Sequence, residues 1–323
     1  MFKLRRRTRR ILLLAGLMLI AVLALWGLIH VGVNLWRATS SGGDLPTLRE
    51  ETVAQVDPDE YETLWVGSQT AEMGPLILVN NEHPYGFGQE DTLMPVYDGK
   101  TGDYKVRSVD VLVQEEIMEP LNRMFAGYCQ ATGSHEVNIL SAYRSYEDQV
   151  SILAQKEEEL GEEEARRWAS LPGGSEHHTG YAMDLGIYTD GGWSKDFTGK
   201  GEQSWLTSHA CQYGFVLRYA QEKEGITGIA HEPWHFRYVG KPHAQLMAQQ
   251  NLCLEEYLQQ LQNYPFGQQH LQVTGEDGSV YEIYYEVLAR DTAQIHVPRG
   301  KDYWISGDNM GGVIVTVCQK TEE

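Results

Sequence analysis

The chain has 323 residues, with 26 basic against 45 acidic side chains and 42% apolar residues. That apolar share is enough for a packed core, which excludes wholesale disorder. Residues 1–37 hold seven Lys and Arg and no acid, so residues 38–323 carry all 45 acids against 19 basic groups. So acidic a body excludes nucleic acid as a partner, because neutralising phosphates needs clustered Lys and Arg.

The basic segment MFKLRRRTRR (1–10) precedes an apolar run from Ile11 to Trp36, with no polar side chain between Ile11 and Ile29. As a helix the run spans about 39 Å, against a hydrocarbon core of about 30 Å. It is too long for the apolar stretch of a cleaved signal peptide. The preceding positive charges place residues 1–10 in the cytoplasm, residues 11–36 across the membrane and the rest outside. The expected localisation is therefore the cell membrane, single-pass, with an extracellular C-terminal body.

Residues 37–73 are polar and acidic and contain SSGGDLP; they read as an extracellular stalk. GPLILVNNEHPYGF (74–87) predicts the first strand of the body and a turn-rich exit. VLVQEEIMEPLNRMFAGYCQATG has apolar residues at helical spacing and a glycine stop, which predicts a helix around 111–131. VNILSAYRS predicts a strand ending in a loop, and EDQVSILAQKEEELGEEEARRWAS a helix. LPGGSEHHTG is a loop and YAMDLGIY an alternating strand. SWLTSHACQYGFVLRYA begins as a helix, stops at Gly214 and continues as a strand. HEPWHFRYVG is a strand with an aromatic face, and KPHAQLMAQQNLCLEEYLQQLQ a helix. These elements form a main domain over 74–263. From residue 264 only strand patterns follow, separated by Gly, Asp and Pro, so 264–323 reads as a small C-terminal β module. The expected fold is α+β: an antiparallel sheet flanked by helices. The four cysteines, Cys129, Cys211, Cys253 and Cys318, are too scattered for a compact metal knuckle, and spacing does not dictate their pairing.

Two segments carry chemistry. In SEHHTGYAMD (175–184), Ala182 and Asp184 point to one face of a strand, while Met183 and Leu185 point to the other and can enter the core. A carboxylate in an apolar strand needs a partner, and a metal ion is one. In EPWH (232–235), His235 and Arg237 share a face opposite Trp234, Phe236 and Tyr238. Two imidazoles and a carboxylate, from His177, Asp184 and His235, make three ligands and leave a fourth position for water, the open arrangement of a catalytic zinc. Glu232 then stands where a general base can deprotonate that water. A hydrogen-bonded structural histidine is the competing reading for any one of the eleven histidines.

The segments SAYRSYEDQ (141–149), PGGSEHHTGYAMDLG (172–186) and GFVLRY…HEPWHFRYVG (214–240) occur in this order. Together they resemble the VanY-like D-alanyl-D-alanine carboxypeptidases, in the zinc metallopeptidase group that includes lysostaphin-type enzymes and the hedgehog signalling fold. The resemblance covers roughly residues 74–262. It implies Zn²⁺ as cofactor, His177, Asp184 and His235 as its ligands, and Glu232 as catalytic base. It also implies substrate-binding roles for Arg144, Gln149 and Ser175. An arginine fork suits recognition of a free terminal carboxylate. The sequence departs from the family pattern at three places: His178 where Gln is frequent, His231 where an aromatic residue is commoner, and Ala220 where Pro is usual. Either histidine is an imidazole beside the site and competes as a ligand.

The implied activity is removal of the C-terminal D-alanine from peptidoglycan stem peptides at the outer face of the membrane. L,D-carboxypeptidase or D,D-dipeptidase activity on wall peptides uses the same motifs and remains an alternative. A non-catalytic wall-binding or sensory protein with a zinc site is a further one; it has no need of Glu232 or Arg144.

Overall fold

The computed structural model describes residues 47–53, 57–288 and 292–319, which fall within one compact unit, Leu45–Glu323. The basic segment 1–10, the expected transmembrane helix 11–36 and the start of the expected stalk lie outside the described residues. Among the described residues, no helix is long and apolar enough to cross a membrane.

The chain builds a mixed α/β fold on antiparallel sheets. The sheet that positions the site has β5 (Val137–Ser141), β6 (Ala182–Thr189), β9 (Glu232–Tyr238) and β8 (Phe215–Tyr219) in the order β5-β6-β9-β8, with β7 (Gly192–Ser194) also on β6. Every pairing is antiparallel, and the register sets Asp184 opposite both Ser141 and His235. Alternation along β6 and β9 sends Met183, Leu185 and Phe236 into one apolar cluster. There they meet Leu121, Met124, Phe125 and Tyr128 of the helix Met118–Thr132. The opposite pleat positions, including Asp184 and His235, are left for polar chemistry.

The helix predicted at 111–131 begins later. Leu112–Gln114 forms β4, paired with β3 (Leu93–Pro95), and a 3₁₀ turn at Glu115–Ile117 leads into the helix at Met118. Pro120 falls in the first helical turn, where a missing N–H leaves no bond unmade. Gly133, at φ 71°, ends the helix as predicted. The helix at Tyr146–Leu160 starts from a capping box between Ser145 and Asp148 and stops at Gly161. The long helix expected over 241–262 is two helices, His243–Gln250 and Leu254–Leu261, divided at Asn251, which adopts φ 53°.

Two expectations are corrected outright. The run Leu76–Val79 is buried but is not a strand. Side chains satisfy much of its backbone in place of a ladder. Arg237 Nη2 donates to the carbonyls of Pro75 and Ile77, each at 2.9 Å, Ser306 Oγ accepts from Leu76 N–H, and Asn309 donates to the Leu78 carbonyl. The described part of the polar segment 37–73 is not a free-standing stalk either. β1 (Arg49–Val53) pairs with β10 (His270–Thr274), and β2 (Tyr61–Gly67) pairs with β12 (Thr292–Pro298). β1 is the outer strand of the sheet β1-β10-β11-β14-β13, where β11 is Val280–Val287, β13 Asp302–Gly307 and β14 Gly312–Gln319. An edge strand buries little, so its sequence stays polar and reads like a linker. All five strands predicted after residue 264 are present. Leu271, Val273 and Ile283 share an apolar cluster with Val216, Val239, Leu246 and Leu258, so the C-terminal strands and the site-bearing part have a common core.

Candidate metal centre and active site

His177 lies in the 3₁₀ turn Glu176–Thr179, which ends at Gly180 with φ 73° and turns the chain into β6. Asp184 is the third residue of β6, and His235 is its cross-strand partner on β9. This register, rather than proximity in sequence, brings the three together. His177 Nε2 and His235 Nδ1 each lie 3.3 Å from Asp184 Oδ1. The three donor atoms are mutually within 4.8 Å. Asp184 Oδ1 is fully buried yet accepts no hydrogen bond from either ring. Ligand atoms on a tetrahedral ion with bonds of about 2.0–2.1 Å stand roughly 3.3 Å apart. The side chains present therefore fit a zinc ion, and the orphaned oxygen is what such an ion would satisfy.

The far side of each ligand is held. His177 Nδ1 donates to the Ala142 carbonyl at 2.6 Å, so Nε2 faces the centre. Ser141 Oγ donates to Asp184 Oδ2 at 2.9 Å. His235 Nε2 contacts Glu176 Oε2 at 3.4 Å. Partners of this kind fix ring orientation and ligand basicity in metal sites. Glu232 Oε2 lies 3.7 Å from His235 Nδ1, at the start of β9 and on the same side as the donor triangle.

Electrostatics separate the roles. Burial pushes the Glu232 carboxyl up to about 7, against the opposing pull of His235. Burial opposes ionisation of Asp184 too, but His177 and His235 hold it well below the usual carboxylate range. Burial and the Arg144 charge bring His177 down to about 4. Burial also works against a charged His235, yet Asp184 and Glu176 raise it to about 9.

Arg144 follows β5 and reaches the same face. Its Nη2 lies 3.7 Å from Asp184 Oδ2, and its Nη1 donates to Gln149 Oε1 at 2.8 Å. Gln149 is fully buried and donates to the Ser170 carbonyl, so it holds the guanidinium in place. Ser175 is buried at the N-cap of the 3₁₀ turn, but its hydroxyl makes no capping bond. The two competing imidazoles are engaged elsewhere. His178 Nδ1 donates to the Arg144 carbonyl and Nε2 accepts from Gly173 N–H. His231 Nδ1 donates to the Tyr219 carbonyl. Neither belongs to the donor triangle.

Sequence reasoning missed Glu176. It is buried and meets Arg218 Nε at 2.8 Å and Arg237 Nη1 at 2.9 Å, besides touching His235. Arg218 in turn forms a two-point pair with Glu255 at 2.9 and 2.6 Å. The signal was available: two arginines interrupt the apolar strands FVLRY and HFRYV, and a buried cation requires an acid. Tyr219 was missed as well; its ring packs 4.8 Å from that of His235. It lines a cavity of about 530 Å³ that also touches Ser170, Ile226 and Glu255.

Residues 110–241, the segment that contains His177, Asp184, His235, Glu232, Arg144, Gln149 and Ser175, match the VanY family described as D-alanyl-D-alanine carboxypeptidase. A D-alanyl-D-alanine carboxypeptidase of Enterococcus faecium is 35% identical over 250 residues, which is 76% of this chain and 75% of the relative. The chain belongs to the VanY family. It is accordingly a metallo-carboxypeptidase of the D-alanyl-D-alanine type, a class of zinc-dependent hydrolases. A bifunctional D-Ala-D-Ala dipeptidase and carboxypeptidase of Enterococcus gallinarum is 33% identical, over 57% of this chain and 94% of its own length. Among solved structures, a vancomycin-resistance D,D-dipeptidase in complex with a D-Ala-D-Ala phosphinate analogue superposes with a TM-score of 0.72 at 32% identity, covering 80% of this chain and 99% of that one.

Proposed function

We propose that this member of the VanY family removes the C-terminal D-alanine from peptidoglycan stem peptides, working at the outer face of a membrane that it enters through residues 11–36. The observation that carries the chemical part is the convergence of His177 and His235 on the unsatisfied buried oxygen of Asp184, with the carboxyl of Glu232, raised by burial to about 7, beside them. The D,D preference is supported by the D-Ala-D-Ala phosphinate analogue in the structure of the superposable D,D-dipeptidase and by the D-alanyl-D-alanine carboxypeptidase relative. The location rests on the length and flanking charge of the N-terminal apolar run.

His177 Nε2, Asp184 and His235 Nδ1 would hold the zinc ion. When bound, zinc supplies Lewis-acid polarisation of the scissile carbonyl and a water acidic enough to react near neutral pH. Glu232 accepts the proton from the attacking water and delivers it to the amine nitrogen as the C–N bond breaks, so its net charge is restored each turnover. Arg144, fixed by Gln149, binds the free carboxylate of the terminal residue. Ser175, with a buried hydroxyl not spent on its own turn, contacts the substrate backbone. The acidic body repels rather than retains anionic wall polymers, so binding depends on these local contacts.

The zinc-loaded chain, given defined penta- and tetrapeptide stems, should release single D-alanine from the pentapeptide. Release of the D-Ala-D-Ala dipeptide would reassign it as a dipeptidase. Cleavage of the tetrapeptide alone would make it an L,D-carboxypeptidase, and no release from either would refute the catalytic reading. A reporter fused after Glu323 should be active only outside the cell; activity in the cytoplasm would overturn the location.

A further inference from the structure

A second group of metal-ligating side chains lies away from the first. Cys129 stands in the last turn of the helix Met118–Thr132, His135 in the loop that follows, and Asp103 in the loop before Tyr104. Their donor atoms, one sulfur, one imidazole nitrogen and one carboxylate oxygen, lie within 4.8 Å of one another. Cys129 Sγ is 3.3 Å from His135 Nδ1, and the two meet the Asp103 carbonyl at 3.3 and 3.0 Å. We propose that Cys129, His135 and Asp103 form a second, peripheral site for a borderline-soft divalent cation of the zinc class.

The donor set selects the cation. Thiolate and imidazole together favour zinc-like ions over calcium or magnesium, which prefer oxygen alone. Without metal, the cluster is held by protons: the thiol donates to the Asp103 carbonyl, and the imidazole contacts both that carbonyl and the sulfur. Binding releases the thiol proton and makes donors of all three groups. The thiol is not a reactive nucleophile on its own account, since burial and then the Asp103 charge raise its pKa; a cation reverses both effects. His135 is exposed and Cys129 half-buried, so entry is open from solvent.

The position gives the site a structural consequence. The loop carrying Asp103 is laced to the start of β5, through Lys105 N–H to Asn138 Oδ1 and Arg107 N–H to the Ile139 carbonyl. The other end of β5 carries Ser141, which donates to Asp184. A cation on Cys129, His135 and Asp103 therefore ties the helix end and two loops at the root of the strand that supports the first centre.

Cobalt distinguishes the two centres because only the second contains sulfur. The purified full-length chain, stripped of metal and titrated with Co²⁺, should develop a near-ultraviolet thiolate-to-cobalt charge-transfer band. The band should be lost in Cys129→Ser and in His135→Gln, and should persist in Asp184→Asn, where the first centre is damaged. Zn²⁺ should also slow alkylation of Cys129, read by peptide mapping, at least about tenfold. A chain with no charge-transfer band at saturating Co²⁺, or a band that survives Cys129→Ser, would overturn the proposal. His135→Gln, at an exposed position, keeps the test sound if the cysteine variant folds poorly.

Discussion

Replacing Glu232 by Gln separates catalysis from stability within one side chain. Glu232 is 8% exposed and the pKa of its carboxyl rises from 4.5 to about 7, chiefly through burial. A raised carboxyl pKa means the folded state holds its proton more tightly than the unfolded chain. Stability is therefore fully present below the unfolded pKa and declines as pH rises through the folded one. The shift corresponds to about 3 kcal/mol lost between pH 4.5 and pH 7, with no further change above that. Gln has the same shape and never ionises, so it removes this loss. In metal-free protein, Glu232→Gln should raise unfolding stability by about 3 kcal/mol at pH 8 and leave it nearly unchanged at pH 4. Denaturant titration at the two pH values measures this. The zinc-loaded variant should keep its metal and lose turnover by about 10²–10⁴, because Gln cannot accept the water proton. Near-native turnover would eliminate Glu232 as the base. An equal stability change at both pH values would show that the carboxyl is not held near neutrality by its surroundings.

Ala at His177, Asp184 or His235 should abolish tight zinc binding, whereas His178→Ala and His231→Ala should retain it, by metal analysis of dialysed protein; zinc loss on His231→Ala with retention on His235→Ala would exchange the two imidazoles. Glu176→Gln should weaken zinc affinity by about 10–100-fold through loss of the partner on His235, and should also destabilise the fold, since it leaves Arg218 and Arg237 short of a buried counter-charge. A competition titration with a chelator reads the first effect and denaturant unfolding the second; unchanged affinity would leave Glu176 a purely structural acid. Arg144→Ala should cost about 2–5 kcal/mol in kcat/KM on peptides with a free C-terminal carboxylate and little on amidated ones, which the unaltered enzyme should cleave poorly. Equal cleavage of free and amidated peptides by that enzyme would remove carboxylate recognition from the mechanism.

The local pattern of the chain already contained the strands that carry the site. Period-two alternation in YAMDLGIY and HEPWHFRYVG determined which side chains enter the core and which stay on the polar face, since pleat geometry acts residue by residue. Turn glycines such as Gly133, Gly180 and Gly214 likewise marked where elements end, because each adopts a positive φ that other residues resist. Family resemblance singled out His177, Asp184 and His235 over nearby imidazoles, but only the β6–β9 register sets Asp184 opposite His235, and only the tertiary hydrogen bonds turn His178 and His231 elsewhere. The role of Glu176 was equally closed to local reading: its partners lie 42 and 61 positions away, so its burial is decided by packing. The same reasoning explains the two misread segments. Leu76–Val79 is as apolar as a strand, yet Arg237 and Asn309 satisfy its carbonyls; Arg49–Val53 and Tyr61–Gly67 lie in a stretch that reads as a linker, yet they complete sheets with strands more than 200 residues later. Periodicity reports the face a residue presents, whereas a strand partner or a buried counter-charge depends on chain segments brought together from far apart, and only the folded chain brings them into contact.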